Sequence, residues 1–319
     1  MSELGVAVIG VGFWGKNHAR VFSELGETKL IAVCDRDLER AKTIASQYGA
    51  EVYDDSRKML KRRDIEAVSI CTWTTTHAAE AMRVLKARKH ALVEKPLAST
   101  IREARKIVDF AKQNERRLMV GFIERFNPGV QTAKSVLKTG EIGELVSATA
   151  KRVSQWPERI GDVGVVKDYA IHEIDIMRRI FEEDPTTVYA RVGNLKHTKF
   201  EDYAQIMLTF TRGKTAFIEA NWLTPDKVRN LTLTGSGAIL SLDYLTQEII
   251  IESHEQTVKP RYEWKEPLKL ELQHFAESVT KNVEPEVTGT DGLKALVIAE
   301  AAIKSSEKDR AIKLKFNET

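Results

Sequence analysis

Three constellations in this chain have the residue types and spacing that chemistry needs. The first is Gly10-x-Gly12-x-x-Gly15, with Phe13 and Trp14 inside it. In such a loop the first glycine permits a tight turn, the second lets a pyrophosphate approach the backbone, and the third lets a helix pack closely on a strand. A helix opening there offers unpaired N–H groups and the positive end of its dipole to phosphates. Asp35 stands 20 residues past Gly15, where a carboxylate can accept the ribose hydroxyls of an adenosine. Glycines also cluster in ordinary turns, but the acid and the flanking elements favour a dinucleotide site. The Asp35 carboxylate repels a 2′-phosphate, which favours NAD over NADP. Arg36 beside it can stack on adenine, pair with a 2′-phosphate or simply be solvated.

The second constellation comprises Thr72-Trp73-Thr74-Thr75-Thr76-His77 and Glu94-Lys95-Pro96, each following an apolar run. In open parallel sheets ligands sit outside the carboxyl ends of the strands, so polar residues at those ends are candidates. Pro96 biases Lys95 toward extended backbone. An ammonium there can steady an alkoxide forming on a substrate carbon; the alternative is a surface lysine paired with Glu94.

The third is Asp168, His172 and Asp175 at i, i+4 and i+7, one face of a helix, with Ala170, Ile174, Met177 and Phe181 forming an apolar stripe on the other side. One reading is a solvated polar face. The other makes His172 a general base, since imidazole exchanges a proton near neutral pH, with Asp168 orienting it or touching substrate. No further His or Cys completes a ligand set, so no metal is expected. Gly235-Ser236-Gly237 precedes a strand and reads as a hairpin turn.

The elements that must position these groups are legible in the apolar pattern. Leu4–Ile9, Leu30–Cys34, Ala67–Cys71, His90–Val93 and Leu118–Val120 are near-continuous apolar runs, as parallel strands covered on both faces require. Trp14–Leu25, Leu38–Tyr48, Thr76–Ala87 and Ile101–Asn114 between them carry helical spacing. Beyond about residue 122 the pattern changes to helix-like 128–138, a strand over Leu145–Val153 and a helix over Asp168–Phe181. A run of short strands follows between residues 188 and 251, with closing helices near 269–281 and 290–307. The expected fold is α/β: a Rossmann domain over 1–122, then an α+β domain over 123–319 with an open, mainly antiparallel sheet.

The 319 residues carry 49 basic and 46 acidic groups, a formal charge of +3, with no block of like charge suited to nucleic acid. Cys34 and Cys71 fall in apolar runs at no metal-ligand spacing. With no signal-like or membrane-spanning apolar stretch, the expectation is a soluble, cytoplasmic protein with no membrane partner.

Four motifs in one order resemble the Gfo/Idh/MocA oxidoreductases: the glycine loop, Glu94-Lys95-Pro96, Gly121-Phe122-Ile123-Glu124-Arg125-Phe126-Asn127-Pro128, and Asp168-x-x-x-His172-x-x-Asp175. The likeness spans nearly the whole chain. It implies an NAD(P)-dependent dehydrogenase of a sugar or cyclitol hydroxyl, with Lys95, Asp168 and His172 catalytic. It also implies cofactor contacts from the glycine loop, Asp35, Arg36, Thr72, Trp73, His77, Glu94 and Lys95, and a homo-oligomer, dimer or tetramer. Many members have Thr-Pro-Asn-x-x-His where this chain has Thr72-Trp73-Thr74-Thr75-Thr76-His77. The segments 124–128 and 159–168 are most similar to the family's nucleotide-sugar 3-dehydrogenases, which implies UDP-N-acetylglucosamine or a related UDP-sugar. Arg125, Arg152 and Arg159 then become candidate diphosphate contacts, because guanidinium suits bidentate phosphate recognition. A free-sugar or inositol dehydrogenase and a non-catalytic NAD-sensing protein are the rival readings.

Overall fold

The hexapeptide Leu4–Ile9 forms β1, with every residue buried, as a central parallel strand demands. A computed structural model describes residues 3–157 and 161–316. After β1 the chain alternates through α1 (Gly15–Glu24), β2 (Thr28–Cys34), α2 (Leu38–Tyr48), β3 (Glu51–Tyr53) and α3 (Ser56–Met59). It continues through β4 (Ala67–Ile70), α4 (Thr74–Lys86), β5 (His90–Glu94), α5 (Ile101–Gln113) and β6 (Leu118–Gly121). The sheet order is β3-β2-β1-β4-β5-β6, and every pairing in it is parallel. This is the doubly wound dinucleotide-binding order, whose crevice opens where the order reverses, between β1 and β4. Local chemistry fixes the helix starts: Asp37 caps α2, and Thr100 with Glu103 forms a capping box on α5.

The second sheet is built from β7 (Leu145–Val153), β8 (Thr187–Gly193), β9 (Tyr203–Thr209), β10 (Thr215–Asn221), β11 (Val228–Gly235), β12 (Ala238–Asp243), β13 (Ile249–Ser253), β14 (Thr257–Val258) and β15 (Ile312–Lys313). Its order is β14-β13-β12-β11-β7-β10-β9-β8-β15. All its pairs are antiparallel except β7 with β10, so the sheet is mixed. The Gly235-Ser236-Gly237 segment joins β11 to β12 as a hairpin. Helices α6 (Pro128–Thr139) and α7 (Ile171–Phe181) precede and punctuate these strands, and α8 (Pro267–Thr280) and α9 (Gly289–Lys308) follow β14.

The chain divides into one unit of Met1–Ile123 with Leu268–Leu293 and another of Glu124–Pro267 with Lys294–Thr319. Residues 268–293 thus group with the first unit although they follow the second in sequence. Side-chain packing explains this: a Cβ on Gly289 would meet Leu118 at 2.4 Å, and one on Gly292 would meet Val120 at 2.7 Å. The start of α9 therefore lies hard against β6.

Candidate active site

The dinucleotide loop follows from backbone constraints. Gly10 has φ +84°, a region that favours glycine. A Cβ on Gly15 would lie 1.7 Å from the Gly10 carbonyl oxygen, so only glycine lets α1 begin this close to the end of β1. No acidic residue occupies the first turn of α1, which leaves its positive dipole end for an anion. Phe13 and Trp14 flank the loop, 67% and 39% exposed. The Asp35 carboxylate accepts from the N–H of Val11 and of Asp37, each at 2.9 Å, and the Arg40 guanidinium lies 3.4 Å away. Two backbone donors thus fix the acid beside the first glycine, with Arg36 exposed next to it. These residues fit an adenine dinucleotide: the glycines leave the space its phosphates need, and the carboxylate offers the acceptors its ribose needs. Arg40, a helix residue, reaches Asp35 only through a contact across a turn, which no sequence spacing marks.

Burial and hydrogen bonding tie the ends of β4 and β5 together. His77 is 1% exposed; its Nδ1 lies 2.8 Å from the Pro96 carbonyl and its Nε2 3.1 Å from that of Thr72. It therefore bridges the loop bearing Thr72 and Trp73 to the one bearing Lys95. Glu94 is buried, with Oε1 3.1 Å from His18 Nε2 and Oε2 accepting from the Lys95 backbone N–H at 3.2 Å. His18 Nδ1 in turn reaches Ser69 Oγ at 2.8 Å. Glu94 is thus held by His18 and by the Lys95 backbone. Lys95 itself is half-buried and Trp73 exposed.

In the second unit the Asp168–Phe181 helix departs from its expected geometry. A π-helical turn covers Val166–Ala170, and the regular α7 begins at Ile171. Asp168 therefore sits on a wider turn than the regular helix expected, while His172 and Asp175 belong to regular α7. Asp168 is half-buried, and the other two members of the expected face are not solvated. His172 is 8% exposed, and Glu173 and Asp175 are fully buried. Ala170, Ile174 and Met177 of the apolar stripe are buried and Phe181 half-buried, and Glu173 and Asp175 survive burial through guanidinium partners.

Those partners include two of the expected substrate contacts. Arg125 donates to both Asp175 oxygens at 2.7 and 2.6 Å. Arg152 donates to Glu173 and to Glu124, each at 2.6 Å, and the Tyr244 hydroxyl donates to Glu173 at 2.8 Å. Burial raises the pKa of Glu173 and of Tyr244. Burial also opposes the charge on Arg152, but Glu173 and Glu124 outweigh it and hold that pKa above the ordinary value. Both guanidiniums thus face protein carboxylates, with 4% and 1% exposure, and neither is presented as a diphosphate ligand. Arg159 lies outside the described residues. The Glu124–Pro128 segment is a structural hub: Glu124 holds Arg152, Arg125 holds Asp175, and Asn127 caps α6 with Pro128 in its first turn. Among the described residues no group of His, Cys, Asp and Glu side chains is placed to hold a metal. No helix among them is long and apolar enough to cross a membrane.

Comparison with known proteins adds independent findings. Residues 4–122 match the model of the "Oxidoreductase family, NAD-binding Rossmann fold", and residues 130–241 match the "GFO/IDH/MocA C-terminal domain". The chain is 30% identical to the uncharacterized oxidoreductase YrbE of Bacillus subtilis, over 95% of this chain and 94% of that one. It is 29% identical to the inositol 2-dehydrogenase of Rhizobium meliloti, over 96% and 98%. Among solved structures, the UDP-N-acetylglucosamine 3-dehydrogenase GnnA of Acidithiobacillus ferrooxidans superposes with a TM-score of 0.88 at 25% identity, over 97% and 99%.

Proposed function

The chain belongs to the GFO/IDH/MocA family of NAD-binding oxidoreductases, and from that premise we propose that it oxidises a hydroxyl of a UDP-sugar, C3 of UDP-N-acetylglucosamine, to the keto-sugar. The observation that carries this reading is the likeness to GnnA across nearly the full length of both chains. NAD, when bound in the glycine cradle, supplies the hydride acceptor. The remaining work falls to side chains. His172, enclosed at the start of α7, takes up the hydroxyl proton as the carbinol carbon is oxidised. Lys95, at the carboxyl end of β5, hydrogen-bonds the oxygen as negative charge develops there. Asp168, on the π-helical turn, orients the base. His77 and Glu94 act one layer back by fixing the loops that carry Thr72, Trp73 and Lys95. Arg125 and Arg152 serve the fold of the second unit rather than the substrate.

A second reading, oxidation of a free cyclitol, is favoured by the likeness to the Rhizobium inositol 2-dehydrogenase. Following NADH formation with UDP-N-acetylglucosamine, free N-acetylglucosamine and myo-inositol separates the two. The proposal expects the UDP-sugar to have the highest kcat/KM; a preference for myo-inositol would replace it with the second reading. A soluble cytoplasmic homo-oligomer, dimer or tetramer, completes the proposal.

A further inference from the structure

One end of the second unit's mixed sheet gathers basic side chains, and one of them, Arg229, shares its acid with Arg152. Arg152 on β7 pairs with Ala220 of β10 and with Arg229 of β11, and residues paired across strands share a sheet face. Ser154 and Trp222, each two residues further along, continue that alternation. Tyr169, between Asp168 and His172, covers this place: its hydroxyl is 3.0 Å from Ser154 Oγ, and its ring meets Trp222 edge-on at 6.1 Å. The cationic end of the sheet thus adjoins the turn that carries Asp168.

The charges here are unequal. Arg152 is committed to Glu124 and Glu173. Arg229 comes within only 3.6 Å of Glu124, at the same oxygen that Arg152 already holds. Lys227, two residues before Arg229, is exposed. Partial burial, then Arg229 and Arg152, lower its pKa; burial, then Arg152, lower that of Arg229. Arg229 and Lys227 thus add two cations beside the committed Arg152, with the exposed Asp226 as a neighbouring acid. Cations held this close together favour an anion beside them.

We propose that Lys227 and Arg229 form the subsite for an anionic group of the substrate, a phosphoryl or carboxylate group carried by the sugar that is oxidised. The inference rests on the reading that Asp168 and His172 face the substrate. It supplies the anion contacts that Arg125 and Arg152, held in buried ion pairs, do not provide. A neutral cyclitol would leave the subsite unfilled, so the pair also decides between substrate classes.

The test compares the wild-type enzyme with Lys227→Gln and Arg229→Gln. It measures NADH formation from UDP-N-acetylglucosamine, glucuronate, N-acetylglucosamine and myo-inositol, and calorimetric binding of UDP with NADH saturating. Each substitution is expected to raise the KM of the preferred charged substrate roughly 10- to 100-fold, the range of one charge-assisted hydrogen bond. Its kcat should stay within about threefold, and neutral-substrate KM should not move. Weakened UDP binding identifies a diphosphate subsite; a KM effect confined to glucuronate identifies a carboxylate subsite. Arg229 lies against Glu124, so the exposed Lys227→Gln decides if Arg229→Gln fails to fold. An unchanged KM for every charged substrate together with unchanged UDP affinity in Lys227→Gln overturns the subsite. If neutral polyols are oxidised and no anion binds, the subsite falls while the dehydrogenase reading stands. If UDP binds through Lys227 but no sugar is oxidised, the subsite stands and that reading falls.

Discussion

Replacing Arg152 by methionine separates a structural role for this guanidinium from a substrate role. The side chain is 2% exposed, and its partners Glu173 and Glu124 are 0% and 7% exposed. Methionine keeps most of the volume but leaves two carboxylates buried without their main counter-charge. Breaking a buried pair in this way costs about 3–5 kcal/mol. Arg229, 3.6 Å from Glu124, retains part of the compensation, so the lower end, about 3 kcal/mol, is expected. That is a large share of the roughly 5–15 kcal/mol that holds a typical domain folded. The loss should depend on pH. Burial already raises the Glu173 pKa, and losing Arg152 raises it further. A group whose folded pKa exceeds its unfolded value is tolerated below the unfolded pKa and destabilises progressively as pH rises through the folded one. Urea denaturation followed by circular dichroism should therefore show a smaller loss near pH 5 than near pH 8, and Glu173→Gln added to Arg152→Met should recover part of it. A change below about 1 kcal/mol at both pH values, with a raised substrate KM, would refute the structural role.

Two further outcomes follow from the first unit. Asp35→Asn keeps an acceptor for the Val11 N–H but removes the charge facing the ribose, so kcat/KM with NADP should rise relative to NAD by about tenfold, roughly 1.4 kcal/mol; an unchanged cofactor ratio would contradict the placement of Asp35. His90 Nδ1 accepts the Arg117 backbone N–H at 2.9 Å, and burial followed by the charges of Arg116 and Arg117 lowers its pKa to about 4. The unfolded chain then binds the extra proton first, so stability present above pH ~6.5 falls as pH drops toward ~4, by roughly 1–2 kcal/mol after allowing for solvent screening. His90→Asn should flatten that part of a stability–pH curve, and an unaltered curve would show that His90 does not cause it.

What was legible in the sequence was whatever local spacing determines. The buried run Leu4–Ile9, the glycine loop and the acid at Asp35 are all short-range features: the run forms β1, Gly10 turns the backbone, and the Val11 N–H ties the Asp35 carboxylate to the loop. The strand Leu145–Val153 was equally readable. Strand β3 was missed because Glu51–Tyr53 has three residues and no apolar run. The ion-paired core of the second unit was hidden for a different reason. Arg125 meets Asp175 50 positions away and Arg152 meets Glu124 28 positions away, and no local pattern distinguishes a buried guanidinium from one waiting for phosphate. The π-helical turn before α7 also has no composition of its own, and periodicity alone leaves open whether His172 and Asp175 are solvated or, as here, buried. The position of 268–293 depends on which core an amphipathic helix covers, which periodicity leaves open.

The dehydrogenase chemistry itself is tested most directly by NADH formation from UDP-N-acetylglucosamine with wild-type protein, Lys95→Met and His172→Asn, beside a titration of NADH binding to each. The account predicts turnover at least about 100-fold lower in both variants with NADH affinity unchanged. Turnover within about threefold of wild type in either variant would contradict it.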